Sequence, residues 1–496
     1  MLNSVDFSGR PFHFIGIGGI GMSALAYVLT QRKLPVSGSD LSHSHITQRL
    51  QKQGAHIFWS QDAANLDVLQ TAGDSLFLQD PLPPQPPAQR SQGAAATPQV
   101  ICSTAINAEN AEYRAALNLG CPIFHRSDLL AALMQEYEGI AIAGTHGKTT
   151  TSSMVGYLLM QAGLDPTIIV GGEVNAWEGN ARIGQSPYLV AEADESDGSL
   201  VKLAAKIGVI TNIELDHPDH YATLEEVIAT FQTFAQQCQT LIGCIDSPTL
   251  KSCLQPHITY SIQPNAEADY TVDKIVYKSD GTIAQVWERG ALLGQLQLGL
   301  LGNHNLSNAL AAIAVGRQLG LEFAQIAPIL ATFEGARRRF ERRGEYNQIL
   351  FIDDYAHHPS EIQVTLNAAR LRSQTSTQRR RVVAVFQPHR YSRTQTFLSE
   401  FAESFEDADL VITTEIYSAG EPNTGQVSGK TLSEAIASHH AQVIYQPTLP
   451  EVTAYLKAAL LPGDLVLFLG AGNLNRIIPE LMAFCQAEES SALSPA

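Results

Sequence analysis

The sequence predicts an α/β protein of three domains, and three observations support this fold class. Short apolar strands alternate with helical stretches along most of the chain, a pattern typical of parallel α/β folds. The chain has 496 residues, enough for about three domains. Two glycine-rich turns, near residues 16 and 144, each stand between an apolar strand and a helix. We expect domain boundaries at 1–138, 139–335 and 336–496.

The first glycine turn predicts a Rossmann-like N-terminal domain. An apolar strand that starts at Pro11 runs into Gly16-x-Gly18-x-x-Gly21, and a helix of small and apolar residues follows from Ser23 to Leu29. A second strand ends in Asp40, about twenty residues after the glycines. The glycine motif and Asp40 together indicate a bound diphosphate group. A nicotinamide cofactor is only one of several ligands that contain a diphosphate.

A proline-rich segment interrupts this domain between about Leu78 and Pro98. It contains the run Pro81-Leu-Pro-Pro-Gln-Pro-Pro87 and a later glycine–alanine run. Such a composition cannot bury a core, so we expect a surface insertion without chemistry.

The second glycine turn predicts a central P-loop domain that binds ATP. Gly144 and Gly147 would turn backbone N–H groups towards phosphate oxygens, Lys148 would reach the outer phosphates, and Thr149 would offer its hydroxyl to Mg²⁺. The common pattern has its first glycine where this chain has Ile142, so the turn is shorter here. The residues predicted to bind ATP in this loop are Gly144, Thr145, His146, Gly147, Lys148, Thr149 and Thr150.

Acidic and imidazole side chains follow the next two strands of the central domain. Glu192 and His217 each come after an apolar strand, which is where open α/β sheets bind ligands. Beside a phosphate loop, they would suit one or two divalent ions. The neighbouring acids could equally cap helices or face water; these are Asp194, Glu195, Asp197 and Asp219.

The third block predicts a C-terminal Rossmann-like α/β domain with basic side chains at its start and at a strand end. The arginine run at 337–339 is either a solvated charge cluster or a donor to a transferring phosphoryl group. His389, Arg390 and Arg393 follow an apolar strand and are suited to bind a small carboxylate.

Composition excludes some partners. The formal net charge of −17 and the pI of about 5.3 argue against nucleic acid or an anionic membrane as the main partner. The six cysteines have no paired spacing, which predicts reduced thiols. There is no leader pattern and no membrane-length apolar run, so we expect a cytoplasmic protein; its oligomeric state is open.

The chain resembles the Mur ligases over nearly its whole length. Six separate motifs, in the order found in that family, support the resemblance: His13–Ser23, Gly144–Thr150, Glu192–Asp197, Leu301–Asn305, Asp353–Pro359 and Phe386–Tyr391. Within the family, the likeness is to the members that add the first amino acid of the peptidoglycan stem peptide. The resemblance implies a role in cell-wall biogenesis, and hence in cell shape and cell division.

The resemblance also implies where the substrates bind. The first domain would hold UDP-N-acetylmuramate rather than a hydride carrier, the second ATP and Mg²⁺, and the third L-alanine. The residues implied for the UDP-sugar are Gly18, Gly19, Asp40, Ser103 and Arg126. Those implied for ATP and the metal, besides the phosphate loop, are Asn305 and Asp354 at the adenosine, Arg338 or Arg339 at the γ-phosphate, and Glu192 and His217 with Thr149 as metal ligands. L-alanine would meet His389, Arg390 and Arg393.

The implied reaction forms an acyl phosphate from the sugar carboxylate and ATP, which the amine of L-alanine then attacks. Three other readings stay open: a ligase that recycles a preformed peptide, a nucleotide-sensing module without catalysis, and a dehydrogenase. Some relatives carry a carbamylated lysine near the metal, but no motif here selects Lys202 or Lys206 for that role.

Overall fold

The structure is a computed structural model that describes residues 4–72, 97–278, 280–374 and 379–493. The described residues form two compact units. One unit comprises Met1–Ala143, Leu159–Val209 and Thr230–Leu241; the other comprises Gly144–Leu158, Ile210–Ala229 and Ile242–Ala496. The three domain ranges expected from the sequence stay a prediction. The proline-rich insertion lies outside the described residues, apart from its last two positions.

The N-terminal part of the first unit contains a five-stranded parallel sheet with the order β3-β2-β1-β4-β5. This order, with its reversal between β1 and β4, confirms the predicted Rossmann-like fold. Strands β1, β2 and β4 are buried along their whole length. The elements are β1 (Phe12–Ile15), α1 (Ile20–Gln31), β2 (Val36–Ser39), α2 (His45–Lys52), β3 (His56–Phe58), α3 (Ala64–Ala72), β4 (Gln99–Cys102), α4 (Ala111–Asn118), β5 (Ile123–His125) and α5 (Arg126–Gln135).

The middle of the chain adds both parallel and antiparallel strands. Strand β9 pairs in parallel with β6 and β7, whereas β8 runs antiparallel to β7. The elements are β6 (Glu138–Ala143), α6 (Lys148–Gln161), β7 (Thr167–Val174), β8 (Gly179–Arg182), β9 (Tyr188–Glu192), β10 (Ile207–Ile210), α7 (Leu224–Gln237), β11 (Thr240–Cys244), α8 (Pro248–Cys253), β12 (Ile258–Tyr260), β13 (Tyr270–Lys278), β14 (Gly281–Glu288), β15 (Ala291–Leu298), α9 (Asn303–Gln318) and α10 (Phe323–Ala331).

The three strands β13, β14 and β15 form an antiparallel meander. The parallel winding predicted for this block holds for β9 with β6 and β7, and it does not extend to residues 270–298. The reason is that β13 and β15 have few buried side chains, so they lack the continuous apolar runs that mark buried parallel strands.

The C-terminal part of the second unit contains a six-stranded sheet with the order β16-β17-β21-β18-β19-β20. It is parallel except for the edge strand β16, which runs antiparallel to β17. Apolar side chains cover both faces in two buried clusters. The elements are β16 (Glu341–Tyr346), β17 (Ile349–Asp354), α11 (Pro359–Gln374), β18 (Val382–Phe386), α12 (Tyr391–Thr396), α13 (Leu398–Ala402), β19 (Leu410–Thr413), α14 (Gly429–Ala437), β20 (Val443–Tyr445), α15 (Leu449–Ala459), β21 (Leu465–Leu469) and α16 (Ile478–Leu493).

Two expectations about the chain as a whole concern its cysteines and its helices. None of the six cysteines forms a disulfide, and burial raises the thiol pKa of all six, to about 12 for Cys102 and Cys238. Within the described ranges, no helix has the length and apolarity needed to cross a membrane.

Candidate active site

The phosphate loop connects the end of β6 to the start of α6, and its two glycines are required by close contacts. Gly144 has φ +135°, and a Cβ there would lie 1.9 Å from Thr211 Oγ1. Gly147 has φ +80°, and a Cβ there would lie 2.8 Å from Asn308 Oδ1. A side chain at either position would meet both backbone strain and a clash, so the tight turn depends on glycine.

The loop is held by side chains beyond the end of β10. The backbone N–H of His146 donates to Asn212 Oδ1 at 2.8 Å, and Glu214 N donates to Thr145 Oγ1 at 2.9 Å. Lys148 Nζ donates to the carbonyl oxygens of Gly144 at 2.7 Å and Thr145 at 3.1 Å. The ammonium group is therefore kept at the loop, and its predicted contact with the outer phosphates stays a prediction.

A cavity of about 200 Å³ opens beside the phosphate loop in the second unit. Six of the residues predicted to bind ATP or its phosphates line it: His146, Gly147, Thr150, Asn305, Arg339 and Asp354. The Asn305 amide donates to Leu301 O at 2.8 Å, which orients its side chain.

Asp354 ends β17 and borders this cavity from the C-terminal sheet. Its carboxylate accepts from the N–H groups of Phe340 at 2.6 Å and Ala356 at 2.8 Å. Burial raises the pKa of Asp354 to about 6, although the Arg339 charge and these backbone donors favour the anion. His304, on α9, has its pKa lowered to about 4 by burial and by the charge of Arg339.

The two candidate arginines both lie over the Tyr355 ring, but their hydrogen-bond partners differ. Arg339 lines the cavity, and its Nη2 donates to Thr149 Oγ1 at 3.4 Å. Arg338 turns to the C-terminal sheet, where Nη2 donates to Gly470 O at 2.5 Å and the guanidinium lies over the Tyr355 ring. Arg339 is thus the one of the pair that reaches the phosphate loop.

Glu192 and His217 are two of the residues predicted as metal ligands, and each has its own local surroundings. Glu192 is the last residue of β9 in the first unit, and its Oε2 accepts from Gly171 N at 2.6 Å. A Cβ at Gly171 would lie 2.6 Å from the other carboxylate oxygen, so glycine makes room for this side chain. His217 belongs to the second unit and lies in the loop between β10 and α7, with φ +54°. The expectation that His217 immediately follows a strand was wrong, since β10 already ends at Ile210.

The residues predicted to meet L-alanine cluster after β18, and protein carboxylates contact both arginines. Arg390 Nη1 lies 2.8 Å from Asp219 and 3.3 Å from Glu421. Arg393 is 2% exposed and pairs with Asp216, which adjoins His217, at 2.8 Å. Burial disfavours the charged form of the Asp216 carboxyl, but the positive charge of Arg393 holds the pKa of Asp216 well below its usual range.

His389 stacks on Tyr417 with ring centroids 5.7 Å apart. Burial, followed by the charges of nearby His357, Arg393 and Arg390, lowers the pKa of His389 to about 3. The ring is therefore neutral at physiological pH, and it can accept as well as donate a hydrogen bond.

The residues predicted to bind the UDP-sugar all lie at the carboxyl ends of the N-terminal parallel strands. Gly18 and Gly19 follow β1, Asp40 follows β2, Ser103 follows β4, and Arg126 follows β5. Strand order reverses between β1 and β4, which is where such sheets bind nucleotides.

Side-chain contacts tie this edge together. Asp40 Oδ2 accepts from the N–H of Gly18 at 2.8 Å. Arg126 Nη1 lies 3.3 Å from where a Cβ on Gly21 would stand, so the guanidinium adjoins the first turn of α1. Arg126 also pairs with Asp194 at 2.7 Å and with Asp197 at 3.4 Å, which accounts for two of the acids left undecided by the sequence.

Sequence reasoning missed several polar residues of the nucleotide cavity. Asn212, Glu214, Asn308, Ser360 and Glu361 all line it. Glu361 was overlooked because it stands just beyond the Asp353–Pro359 motif, at the first turn of α11. Glu214 was overlooked because its partners His146 and Ser360 are remote in sequence.

Comparison with known proteins supplies the family. Three domain profiles match in order: "Mur ligase family, catalytic domain" at residues 11–138, "Mur ligase middle domain" at 142–316 and "Mur ligase, glutamate ligase domain" at 338–472. A UDP-N-acetylmuramate–L-alanine ligase from Nostoc punctiforme is 66% identical over 99% of this chain and 100% of its own length. The chain belongs to the Mur ligase family. A similarly named ligase from Gloeothece citriformis is 61% identical over 97% of this chain and 99% of its own length.

Solved Mur ligase structures share the fold. The crystal structure of a UDP-N-acetylmuramate-alanine ligase from Thermotoga maritima superposes with a TM-score of 0.78 at 27% identity, covering 97% of this chain and 99% of that one. A murein peptide ligase from Psychrobacter arcticus gives a TM-score of 0.67 at 22% identity, covering 96% and 99%. The predicted three-part Mur ligase architecture is thereby confirmed.

Proposed function

We propose that this Mur ligase joins L-alanine to the carboxylate of UDP-N-acetylmuramate with cleavage of ATP to ADP and phosphate. The observation that carries the proposal is the 66% identity, over essentially both full lengths, with a ligase named for that reaction. The phosphate loop and the adjoining cavity support the use of ATP. Because the reaction consumes ATP, we place it in the cytoplasm, at an early step of peptidoglycan precursor synthesis.

The chemistry has two steps. A carboxylate oxygen of the sugar attacks the γ-phosphorus of ATP, which expels ADP and forms an acyl phosphate. The neutral amine of L-alanine then attacks the acyl carbon, the amide C–N bond forms and inorganic phosphate leaves. The ammonium group of alanine gives up its protons on the way to the amide. ATP is required because a carboxylate is a poor electrophile at neutral pH.

Basic groups of the second unit would stabilise the negative charge on the phosphates during the first step. Lys148 stands at the loop carbonyls, and Arg339 contacts Thr149, so both cations flank the place assigned to the outer phosphates. Donors fixed before the reaction, as these are, typically contribute several kcal/mol to phosphoryl transfer. We assign the γ-phosphate contact to Arg339 rather than Arg338.

The predicted metal ligands suit Mg²⁺ by chemistry, since Thr149, Glu192 and His217 offer a hydroxyl, a carboxylate and an imidazole. The space that Gly171 leaves for the Glu192 carboxylate supports this role. When bound, Mg²⁺ would neutralise phosphate charge there.

For the other two substrates we assign the strand-end residues of each sheet. Gly18, Gly19, Asp40, Ser103 and Arg126 would bind the UDP-sugar, and the open N-terminus of α1 would favour its diphosphate. His389 and Arg390 would meet L-alanine. Arg393, buried against Asp216, would act by holding the His217 loop.

The test is phosphate release by the purified chain with ATP, Mg²⁺ and UDP-N-acetylmuramate, with and without L-alanine. We expect release that requires both substrates and is lost in Lys148→Ala. Release with a stem tripeptide but not with L-alanine would instead indicate the recycling ligase. No release with either acceptor, while ATP still binds, would indicate a nucleotide-sensing module and overturn the catalytic proposal.

A further inference from the structure

The imidazole of His146, in the phosphate loop, lies between two carboxylates. Nε2 is 3.2 Å from Glu214 Oε2, and Nδ1 is 3.3 Å from Glu361 Oε1. Because both neighbours are acceptors, both ring nitrogens must carry protons to satisfy them. Burial opposes the positive charge, yet the hydrogen bonds to the two carboxylates raise the pKa of His146 to about 10.

Each of the two carboxylates is itself held in place. Glu361 accepts from the backbone N–H groups of His357 at 3.0 Å and His358 at 3.3 Å, which caps the first turn of α11. Glu214 accepts from the hydroxyl of Ser360 at 2.8 Å. Burial works against both anions, but the His146 hydrogen bond lowers the pKa of Glu214 to about 2.

The backbone of His146 is fixed as well. Its N–H donates to Asn212 Oδ1 at 2.8 Å, and its carbonyl accepts from Thr211 Oγ1 at 2.5 Å and Asn212 Nδ2 at 3.1 Å. The main chain of this residue is thus joined to the end of β10, while its side chain is joined to α11.

We propose that His146 is a positioning residue, whose ring ties the phosphate loop to the first turn of α11 through Glu361 and so sets the loop geometry that binds the phosphates of ATP. This inference rests on the proposed nucleotide site. It means that nucleotide affinity at the loop depends on a carboxylate contributed by the C-terminal sheet domain, 215 residues away in sequence.

A metal site is the competing reading of the same cluster. Ligand atoms of His146, Glu214 and His358 lie within 4.8 Å of one another. However, both nitrogens of His146 face carboxylates as donors, and His358 Nδ1 accepts from Ser360 N at 3.3 Å, so its proton stands on Nε2. An imidazolium has no lone pair for a metal, so the ion-paired arrangement is favoured.

Titratable groups from the loop after β10 and from the start of α11 face the imidazolium of His146. Glu214 comes from the loop after β10, and Glu361 and His358 come from the start of α11, with the His358 ring centroid 4.7 Å away. Arg339 Nη1 lies 4.0 Å from Glu361 Oε1, and His357 Nδ1 lies 3.2 Å from Glu361 Oε2. Other basic groups therefore also contact Glu361. The test must change both His146 and its partner Glu361, so that the effect of this one ion pair can be separated from theirs.

The experiment is calorimetric binding of Mg²⁺–ADP at pH 7.5 to the full chain and to His146→Gln, Glu361→Gln and the double variant. We expect about tenfold weaker binding in each single variant and a double variant no more than about twofold weaker than the worse single, because both changes break one link. His439→Gln and Glu480→Gln repeat the chemical changes on the exposed surface and should bind as the parent does.

Binding of UDP-N-acetylmuramate in the same samples, together with the melting temperature, shows whether each variant is folded. We expect the dissociation constant for the sugar to stay within about twofold of the parent. Should His146→Gln fail to fold, Glu361→Gln carries the test, since a glutamine oxygen can still accept from the helix N–H groups.

Three outcomes would overturn the inference: ADP affinity within about twofold of the parent in both single variants, losses that add in the double variant, or an equal loss in the surface controls. A wrong assignment of the nucleotide site itself would give a different result, in Lys148→Ala. If Lys148→Ala bound ADP as well as the parent, the proposed nucleotide site itself would be wrong. If Lys148→Ala lost binding while the His146 and Glu361 variants kept it, only the positioning role would fall.

Discussion

The two glycine turns of this chain have the same backbone arrangement, but different side chains surround them. Each joins a buried parallel strand to a helix N-terminus, at Gly16–Gly21 and at Gly144–Lys148. The first turn is held by a carboxylate, since Asp40 accepts from Gly18 N. The second carries its own cation, Lys148, and an imidazolium, His146, within hydrogen-bonding distance of two carboxylates.

This difference teaches that a glycine turn specifies a shape, whereas the surrounding side chains specify the ligand. An open helix N-terminus accepts any phosphate-bearing group. A lysine at the turn and an arginine beside it supply the concentrated positive charge that phosphoryl transfer requires. The first turn lacks a lysine in its sequence, in keeping with binding rather than phosphoryl transfer.

The strongest test of this contrast is Lys148→Ala. We expect kcat to fall by at least about a thousandfold, because one of the fixed charges at the transferring phosphoryl group is removed. Binding of UDP-N-acetylmuramate should stay within about twofold, since that site is assigned to the other turn. Phosphate release and calorimetry measure the two quantities, with Lys457→Ala, in an exposed ion pair, as the control. A loss of tenfold or less would contradict the contrast.

The paired arginines sharpen the same comparison. Arg339→Ala should lower kcat by about a hundredfold, because Arg339 lines the cavity and contacts Thr149. Arg338→Ala should lower the melting temperature instead and leave kcat within about tenfold, since Arg338 contacts Gly470 O and the Tyr355 ring. Steady-state rates and thermal melts of the two variants give the answer. The reverse order of kcat losses would assign the γ-phosphate to Arg338.

The first turn has its own expected signature in Gly18→Ala. A Cβ there would lie 2.8 Å from Asp40 Oδ2 and 2.9 Å from Thr47 Cγ2, so the Gly18–Asp40 contact must open. We expect the KM for UDP-N-acetylmuramate to rise about tenfold while the KM for ATP stays unchanged. Gly299→Ala is the control, because its Cβ would meet only atoms 3.9 Å away. A rise in the KM for ATP would show that the two turns do not act separately.

The smallest expected effect is a pH dependence of stability that belongs to the phosphate loop. The pKa of His146 is about 10 in the folded chain, against an ordinary value of 6.5. Its stabilising contribution is therefore complete below pH 6.5 and is lost as the pH rises towards 10. Between pH 7 and pH 9.5 we expect the melting temperature of the parent to fall by roughly 2–4 °C more than that of His146→Gln. An equal fall in the melting temperature of the parent and of His146→Gln over this pH range would refute the prediction.

Local sequence patterns were sufficient for most of the fold. The strand predicted to start at Pro11 corresponds to β1, and the helix predicted from Ser23 to Leu29 lies within α1. Those elements are buried apolar runs or helices next to glycine turns, whose signals are short-range. The antiparallel meander was missed because about half of the side chains of β13 and β15 face solvent, which weakens the apolar signal.

The candidate site divides in the same way. The sequence by itself determined the glycine turns, the lysine and hydroxyls of the phosphate loop and the order of the Mur ligase motifs, because these depend on residues a few positions apart. Only the tertiary structure decided which of two adjacent arginines reaches Thr149, that Arg393 is buried against Asp216, and that Glu361 meets His146. Those contacts join residues more than 170 positions apart, and their geometry depends on how whole sheets and helices pack, which no local pattern of side chains encodes.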